Sequence, residues 1–526
     1  MTLISRRAFG RLATLAPLAA ARALAAAPQD FGRLGGGAHD VTILYTNDFH
    51  SAFEPIPAYW LPGSPRLGGA AHLATLVEQE RAAARTSFLL DSGDMFTGTL
   101  SRLTDGEALL EMMMLMRYDA MSAGNHEFDY GWQAFERGIT RVPFPILCCN
   151  IRRKDNGARF TRPYTVLERN GVRLGVIGVM GLKAATRTIM PSKVAELEFT
   201  DPVEESAAAV GALRGTVDVV VMLAHQGLPG PMQTDAENDP DVQRPLDEDL
   251  AFCGAVPGID VYIAAHSHHG LEQAIVHPDT RTLITQTYGY GTRLGRIRLA
   301  VKDRKVAGHD IQLLKVWSER LPPAPDVEAR VGHYRRVIAD YVGAPFGEAS
   351  RRITRKYRQE SALGSLCADA MRMRAGSDVA ITNAGGLRAD LPEGPIDRAR
   401  VLDVLPFLND SVTLEMEGGA LKAALEQGFS LEAGMAQVSG LQARYDLSRP
   451  VGARLVSLDV GGQPADDHRR YRVTTNSFLA EGGDGYAAFR QGRVAARDAV
   501  LSDVLIDHVK RVKVVEPPGP GRLVPV

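Results

Sequence analysis

Seven side chains of metal-binding type run from Asp48 to His268, each at or just past the end of an apolar run. Asp48 and His50 follow Val41-Thr-Ile-Leu-Tyr45, and Asp94 follows Phe88-Leu-Leu90. Asn125 lies in Gly124-Asn-His-Glu-Phe-Asp129, beside His126. His225 ends Val217-Asp-Val-Val-Val-Met-Leu-Ala224, and His266 and His268 close Val261-Tyr-Ile-Ala-Ala265. Carboxylates, imidazoles and an amide oxygen, with no thiolate, form an N/O ligand set that suits Zn, Mn, Fe, Co or Ni. Two close divalent cations need an anion between them, and Asp94 at a strand end is the bridging candidate. Spaced two apart in extended backbone, Asp48 and His50 aim the same way, and His266 and His268 repeat that spacing. Asn125 adds a neutral oxygen. Two such metals lower the pKa of water and clamp the attacking and leaving oxygens of a displacement. The pattern predicts a two-metal hydrolase.

A lone Asp-x-His is ordinarily a cap or turn, and a lone His225 would be a satisfied core histidine. Five elements in order, each at a strand end, point elsewhere. Strands must deliver them. Continuous Val/Ile/Leu runs are the mark of buried parallel strands, and ligand crevices in layered α/β proteins lie beyond the strands' carboxyl ends. Residues 39–320 alternate such runs with helical stretches over 69–84 and 105–116, which predicts a layered α/β domain. The methionine-rich run Met112-Met-Met-Leu-Met116 reads as a core-facing helix rather than a soft binding surface.

After Leu321-Pro-Pro-Ala-Pro-Asp326 the composition changes, and Val331, Tyr334, Ile338 and Val342 mark one side of a connecting helix. The remainder mixes strands (379–382, 471–475) with helices (363–374, 419–428) and is long enough for its own core. The expected divisions are a signal segment over 1–27, a first domain over 39–322, a linker helix over 323–344 and a second domain over 345–515.

At 526 residues the chain exceeds a single core. Its 45% hydrophobic and 23% charged residues are ordinary for a globular protein, and a net charge of -2 gives no basic surface for a nucleic-acid polymer. No apolar segment is long enough to span a bilayer. The N-terminus carries Arg6 and Arg7, an apolar run over 12–20, and small-residue cleavage sites at Ala23-Leu-Ala25 and Ala25-Ala-Ala27. It resembles a Tat signal, which implies export of a folded protein by the Tat machinery to the periplasm or beyond. Cys148, Cys149, Cys253 and Cys367 are too few and irregular for a disulfide framework and read as buried thiols.

The motifs together carry a resemblance. Thr46-Asn-Asp-Phe-His50, Gly93-Asp94, Gly124-Asn-His-Glu-Phe-Asp129, Ala224-His-Gln-Gly227 and Ala265-His-Ser-His268 resemble the calcineurin-like metallophosphatase domain of the 5′-nucleotidase family. Glu360-Ser-Ala-Leu-Gly364, Asn383-Ala-Gly-Gly-Leu-Arg388, Leu405-Pro-Phe407 and Phe478-Leu-Ala-Glu-Gly-Gly-Asp484 resemble its C-terminal substrate domain. The likeness, nearest to exported bacterial UDP-sugar hydrolase/5′-nucleotidases, runs from about residue 40 to about 510.

The resemblance implies an α/β fold: a four-layer metallophosphatase β-sandwich flanked by helices, with a second α/β domain joined by a helix. It implies two divalent metals, one held by Asp48, His50, Asp94 and His268, the other by Asp94, Asn125, His225 and His266. His126 would be the catalytic histidine, oriented by Asp129. In the second domain Asn383, Gly385, Gly386 and Arg388 would bind the substrate, the glycines by letting the backbone approach it closely and Arg388 by holding a phosphate. Phe407 and Phe478 would sandwich the base, and Asp484 would bind the ribose. A further phosphate-binding arginine is expected in Arg351–Arg358, with Arg358 the choice. Alanine at 265, where glycine is common, and Ser365, where asparagine is common, depart from the pattern.

The implied activity is release of phosphate from nucleoside 5′-monophosphates, with di- or triphosphates and nucleotide sugars as extensions. The alternatives are a 2′,3′-cyclic-nucleotide phosphodiesterase/3′-nucleotidase, a thiosulfohydrolase, or a nucleotide-binding surface protein that has lost catalysis. The intact histidine motif and both phenylalanines stand against the thiosulfohydrolase.

Overall fold

The computed structural model describes residues 39–227 and 247–526. The expected signal segment lies outside the described residues.

The first half is built on two six-stranded sheets. In one, the central strand His39–Thr46 pairs parallel with Ser87–Asp91 and antiparallel with Arg293–Lys302. In the other, Val219–His225 lies parallel between Val172–Met180 and Val261–Ala264. Alternation along each strand assigns its two faces. Val41, Ile43 and Tyr45 meet Val219, Val221, Leu223 and Ile263 in the apolar layer between the sheets. Leu44 faces outwards to Leu73, Val77, Leu109 and Met112, and Val220 and Met222 face Val210, Leu213 and Phe252. The result is helix, sheet, sheet, helix, the four layers expected. Met112, Met113 and Met116 are core residues. Cys148 and Cys149 face opposite layers, and all four cysteines are buried and free.

The connecting helix Pro325–Val342 packs Val327 and Val331 into the outer core of the first half, with Tyr334 and Ile338 against it. Gly343, at φ 68°, ends it. The second half has a five-stranded sheet, with Val379–Asn383 and Arg470–Asn476 paired parallel near its middle. Val379 and Ile381 pack on Leu421, Leu425 and Phe429, while Ala380 packs on Leu363, Met371 and Leu505. The Pro/Gly-rich end is part of this half: Leu523–Pro525 pairs with Ala443–Tyr445, and Leu523 is buried in the core. The Glu360 carboxylate holds that segment by accepting from the N–H groups of Gly521, Arg522 and Leu523. Among the described residues no helix is long and apolar enough to cross a membrane.

Candidate metal centre and adjoining cleft

Strands ending at Thr46, Asp91, Ser122, His225 and Ala264 bring their carboxyl ends to one rim. The seven expected ligands gather there, none more than 6% exposed. His50 Nε2 lies 2.9 Å from His268 Nε2, and Asp48 Oδ1 is 3.6 Å from His268 Nε2 and 3.9 Å from His50 Nε2. His225 Nε2 lies 3.1 Å from Asp94 Oδ2 and 2.9 Å from Asn125 Oδ1, with His266 in the same group. Asp94 Oδ2 also stands 4.0 Å from His50 Nε2, so this carboxylate faces both groups.

The spacing expected to align Asp48 with His50, and His266 with His268, does not act as read. These residues lie past the strand ends, on turns rather than extended backbone. Asp48, His50, Asp94, His266 and His268 all adopt left-handed φ, between 47° and 72°. Non-glycine residues rarely do so, and such strain gathers at functional sites. The turns are tied to one another: Asp48 N–H donates to Gly93 O, His50 N–H to Asp94 O, and His266 N–H to the Asp48 carboxylate. A Cβ on Gly124 would fall 2.3 Å from Asp94 Oδ1, so only glycine lets that turn approach.

The donor set fits divalent metals. Ligands about 2.0–2.1 Å from one ion stand about 3.0–3.4 Å apart, close to the distances seen. Two imidazole nitrogens face each other at 2.9 Å with at most one proton to share, an arrangement a cation relieves. Burial, and then Arg388, push His50 and His268 well below their usual range, which leaves neutral imidazoles. Burial pulls His225 down, but Asp94 outweighs it and takes the imidazole up to about 9, the same field that draws a metal cation. Burial would raise Asp94 too, yet His225 and His126 hold it well below its usual range. His225 Nδ1 meets Ser92 O at 3.0 Å, which orients the ring with Nε2 inward.

His126 stands 3.9 Å from Asp94 by its Nε2 and meets both Asp129 oxygens through Nδ1, at 3.0 and 3.1 Å. A short 3₁₀ turn over His126–Phe128 provides that reach. Burial lowers the imidazole, but Asp129 and Asp94 prevail and hold it above its usual value. By distance alone, His50, Asp94 and His126 also form a group able to hold a metal.

A cleft runs from this rim to the second half, lined by Asp94, Asn125, His126 and His266 on one side and Asn383, Arg388, Phe407, Phe478 and Asp484 on the other. The Phe407 ring stacks on His126, with centroids 5.4 Å apart and planes 14° apart. Arg388 Nη2 comes within 3.4 Å of His50 Nε2. Asn383 Nδ2 donates to Asp484 Oδ2 at 2.7 Å, and burial pushes Asp484 up to about 7 against that bond. Gly385 and Gly386 line the same wall.

Residues 41–270 match the family profile of the calcineurin-like phosphoesterases, and residues 337–491 match that of the 5′-nucleotidase C-terminal domain. The chain belongs to the 5′-nucleotidase family. It is 29% identical to the snake venom 5′-nucleotidase of Crotalus adamanteus over 552 residues, covering 93% of this chain and 90% of that one. It is 28% identical to the trifunctional nucleotide phosphoesterase YfkN of Bacillus subtilis, of which it spans only 33% while 86% of its own length is covered. The crystal structure of a 5′-nucleotidase precursor from Thermus thermophilus superposes with a TM-score of 0.82 at 28% identity, covering 93% of this chain and 99% of that one. As a member of this family the chain is a metal-dependent phosphoric monoester hydrolase with a dinuclear centre of divalent ions.

The 5′-nucleotidase fold places one expected residue elsewhere. Arg358 is exposed and lines no part of the cleft; Arg355, three residues earlier and 5% exposed, lines not this cleft but the adjoining cavity that it shares with His50, Tyr290 and Arg388, and the intervening Tyr357 lines the cleft. The segment turns there, and a basic run in sequence gives no sign of which arginine points inward. Sequence reading also passed over Glu127. Fully buried, it accepts backbone N–H bonds from Gly124, Asp94 and Met95 at 2.6, 3.0 and 2.9 Å and so clamps two ligand turns together. Its signal was an acidic residue inside the histidine motif. Met190 of the first half and Tyr357 of the second carried no such signal, although both line the cleft.

Proposed function

We propose that the enzyme releases phosphate from nucleoside 5′-monophosphates, and accepts longer phosphate chains by the same route. One observation carries the reading: the metal-binding rim, the His126–Asp129 dyad and the Phe407, Phe478 and Asp484 side chains open onto a single cleft. Asp48, His50, Asp94 and His268 would hold one metal, and Asp94, Asn125, His225 and His266 the other. Bound there, the two ions supply the Lewis-acid charge that activates water and steadies the phosphoryl group.

The chain's own residues do the rest. Arg388 binds phosphoryl oxygens through its planar fork. His126, held by Asp129, stabilises charge on the phosphoryl group and gives a proton to the leaving 5′-oxygen. Phe407 and Phe478 stack on the base, and Asp484 with Asn383 binds the ribose hydroxyls. Arg355 replaces Arg358 as the supporting arginine. The divisions 39–322, 323–344 and 345–515 are read as catalytic domain, connecting helix and nucleotide-gripping domain, the last extended to the C-terminal strand. The twin arginines at 6 and 7 support export by the Tat route.

Phosphate release from AMP and 3′-AMP, ring opening of 2′,3′-cyclic AMP and sulfate release from thiosulfate, each with several divalent metals, test the reading. AMP is expected to give the highest kcat/KM. Preference for the cyclic or 3′ ester would move the enzyme to the phosphodiesterase branch, and turnover of thiosulfate alone would overturn the nucleotide reading.

A further inference from the structure

Arg388 reaches the metal rim from the other half of the molecule, and its guanidinium has little to hold it. Its main chain is anchored by an N–H bond to Val404 O at 2.9 Å. Beyond that, Nε is buried without a hydrogen-bond partner, and the bond from Nη2 to His50 Nε2 at 3.4 Å is long. That histidine nitrogen is also the one aimed at a metal, so it is no lasting acceptor. Among the described residues the remaining acceptor is the Tyr290 hydroxyl, 3.0 Å from Arg388 Nη2.

Tyr290 is itself built into the rim. Its ring lies 5.2 Å from that of His50 and 5.7 Å from that of His268. Its backbone has φ 63°, a conformation costly for an aromatic residue. Close packing holds it there: Tyr290 N–H donates to Asp48 O at 2.7 Å, and a Cβ on Gly291 would fall 2.6 Å from the Phe49 ring. Gly289 is pressed less closely but still tightly, with its Cβ position 3.1 Å from Asp48 O. The strap Gly289-Tyr290-Gly291 is thus clamped to the very turn that carries Asp48 and His50. Strain maintained at this cost in packing fixes where the hydroxyl stands relative to those ligands.

We propose that Tyr290 is a positioning residue that holds the Arg388 guanidinium over the metal centre, with Nε left free for a phosphoryl oxygen. The inference rests on the reading of Arg388 as a phosphate-binding residue. A guanidinium on a long side chain samples many rotamers, and a fixed acceptor on the opposite half removes most of them before substrate arrives. The tyrosine hydroxyl accepts from the charged Nη2, which makes this a charge-assisted bond.

A double-mutant cycle tests it. Tyr290→Phe keeps the ring and deletes the acceptor, so the metal content per chain should be unchanged. The value of kcat/KM for AMP should fall about tenfold, the effect of losing one charge-assisted hydrogen bond. The affinity of the metal-loaded enzyme for inorganic phosphate, measured by calorimetry, should fall by a similar factor. In an Arg388→Ala background the same substitution should change either quantity less than about twofold, because the partner it positions is gone. Equal losses in both backgrounds would make Tyr290 a packing residue and overturn the inference while sparing the role of Arg388. An Arg388→Ala enzyme with undiminished turnover would overturn both. Loss of metal in Tyr290→Phe would place the tyrosine with the ligand scaffold and also overturn the proposal.

Discussion

The two walls of the cleft are held in different ways. On the metal side every expected ligand is buried, and five of the seven sit on strained turns that hydrogen-bond to one another. On the opposite side Phe407 and Arg388 are only half-buried and cross to the rim by few contacts, a ring stack on His126 for one and bonds to Tyr290 and His50 for the other. The Phe407 ring, stacked on His126, covers one face of that imidazole where it lines the cleft. Groups that do the chemistry sit on turns tied to one another, whereas Phe407 and Arg388 reach across to the substrate from half-buried positions. Contacts that could hold the two halves together lie at the margin: Ser192 with Glu481, Arg102 with Ser502, and the Arg187–Glu432 ion pair.

The rigid wall should fail completely when its shared carboxylate is altered. Asp94→Asn removes the charge between the two ligand groups, and turnover should drop to background. Elemental analysis should find well under two metal ions per chain, whereas full occupancy with normal rates would end the bridging assignment. His126→Ala should be milder and different in kind, with metal retained and kcat reduced about 10²–10⁴-fold. This variant also decides between the dyad and the third group of possible ligands, His50, Asp94 and His126. Depletion of one metal in His126→Ala would make the histidine a ligand.

The same contrast governs how much could be read from the sequence. The rim was legible because each ligand follows a buried strand, and buried strands announce themselves as apolar runs; Val217–Ala224 and His225 illustrate this. Its local geometry was not. Asp48 and His50 are aligned by left-handed turns, and no spacing rule for extended chain foresees a positive φ at an aspartate or histidine. The second wall depends on which side chains turn inward from loops. Arg355 is buried and Arg358 exposed for reasons of tertiary packing that a run of basic residues does not encode. Tyr290 was invisible for the same reason: its partner Arg388 lies 98 residues away on another core.

Preorganisation of the rim also predicts a cost at a residue that touches no metal. Glu127→Gln keeps the shape but replaces one acceptor oxygen with a donor, set against the backbone N–H groups of Gly124, Asp94 and Met95. A buried donor facing donors costs about 1–3 kcal/mol, which should appear as a lower melting temperature. Loosening of the turns that carry Asp94 and Asn125 should weaken metal binding about 10–100-fold. Titration of the apoenzyme with metal measures it, and unchanged affinity would mean that Glu127 serves folding alone.

The smallest effect is expected on the substrate wall, where it should be selective for substrate. Phe407→Ala and Phe478→Ala each remove a stacking face worth roughly 1–3 kcal/mol per base. If stacking is equal in ground and transition states, the loss falls on KM for AMP and leaves kcat nearly unchanged. A small aryl phosphate such as p-nitrophenyl phosphate needs only the metals, Arg388 and His126, so its kcat/KM should scarcely move. Phe407 carries a second expectation because its ring covers His126 in this structure. Removing it uncovers the dyad, so the aryl ester should be hydrolysed at least as fast by Phe407→Ala as by the unaltered enzyme, whereas Phe478→Ala should bring no such gain. Equal losses on AMP and on the aryl ester in both variants would show that the rings maintain the fold of the second half and grip no base. The contrast between a wall that does the chemistry and a wall that grips the base would then have to be abandoned.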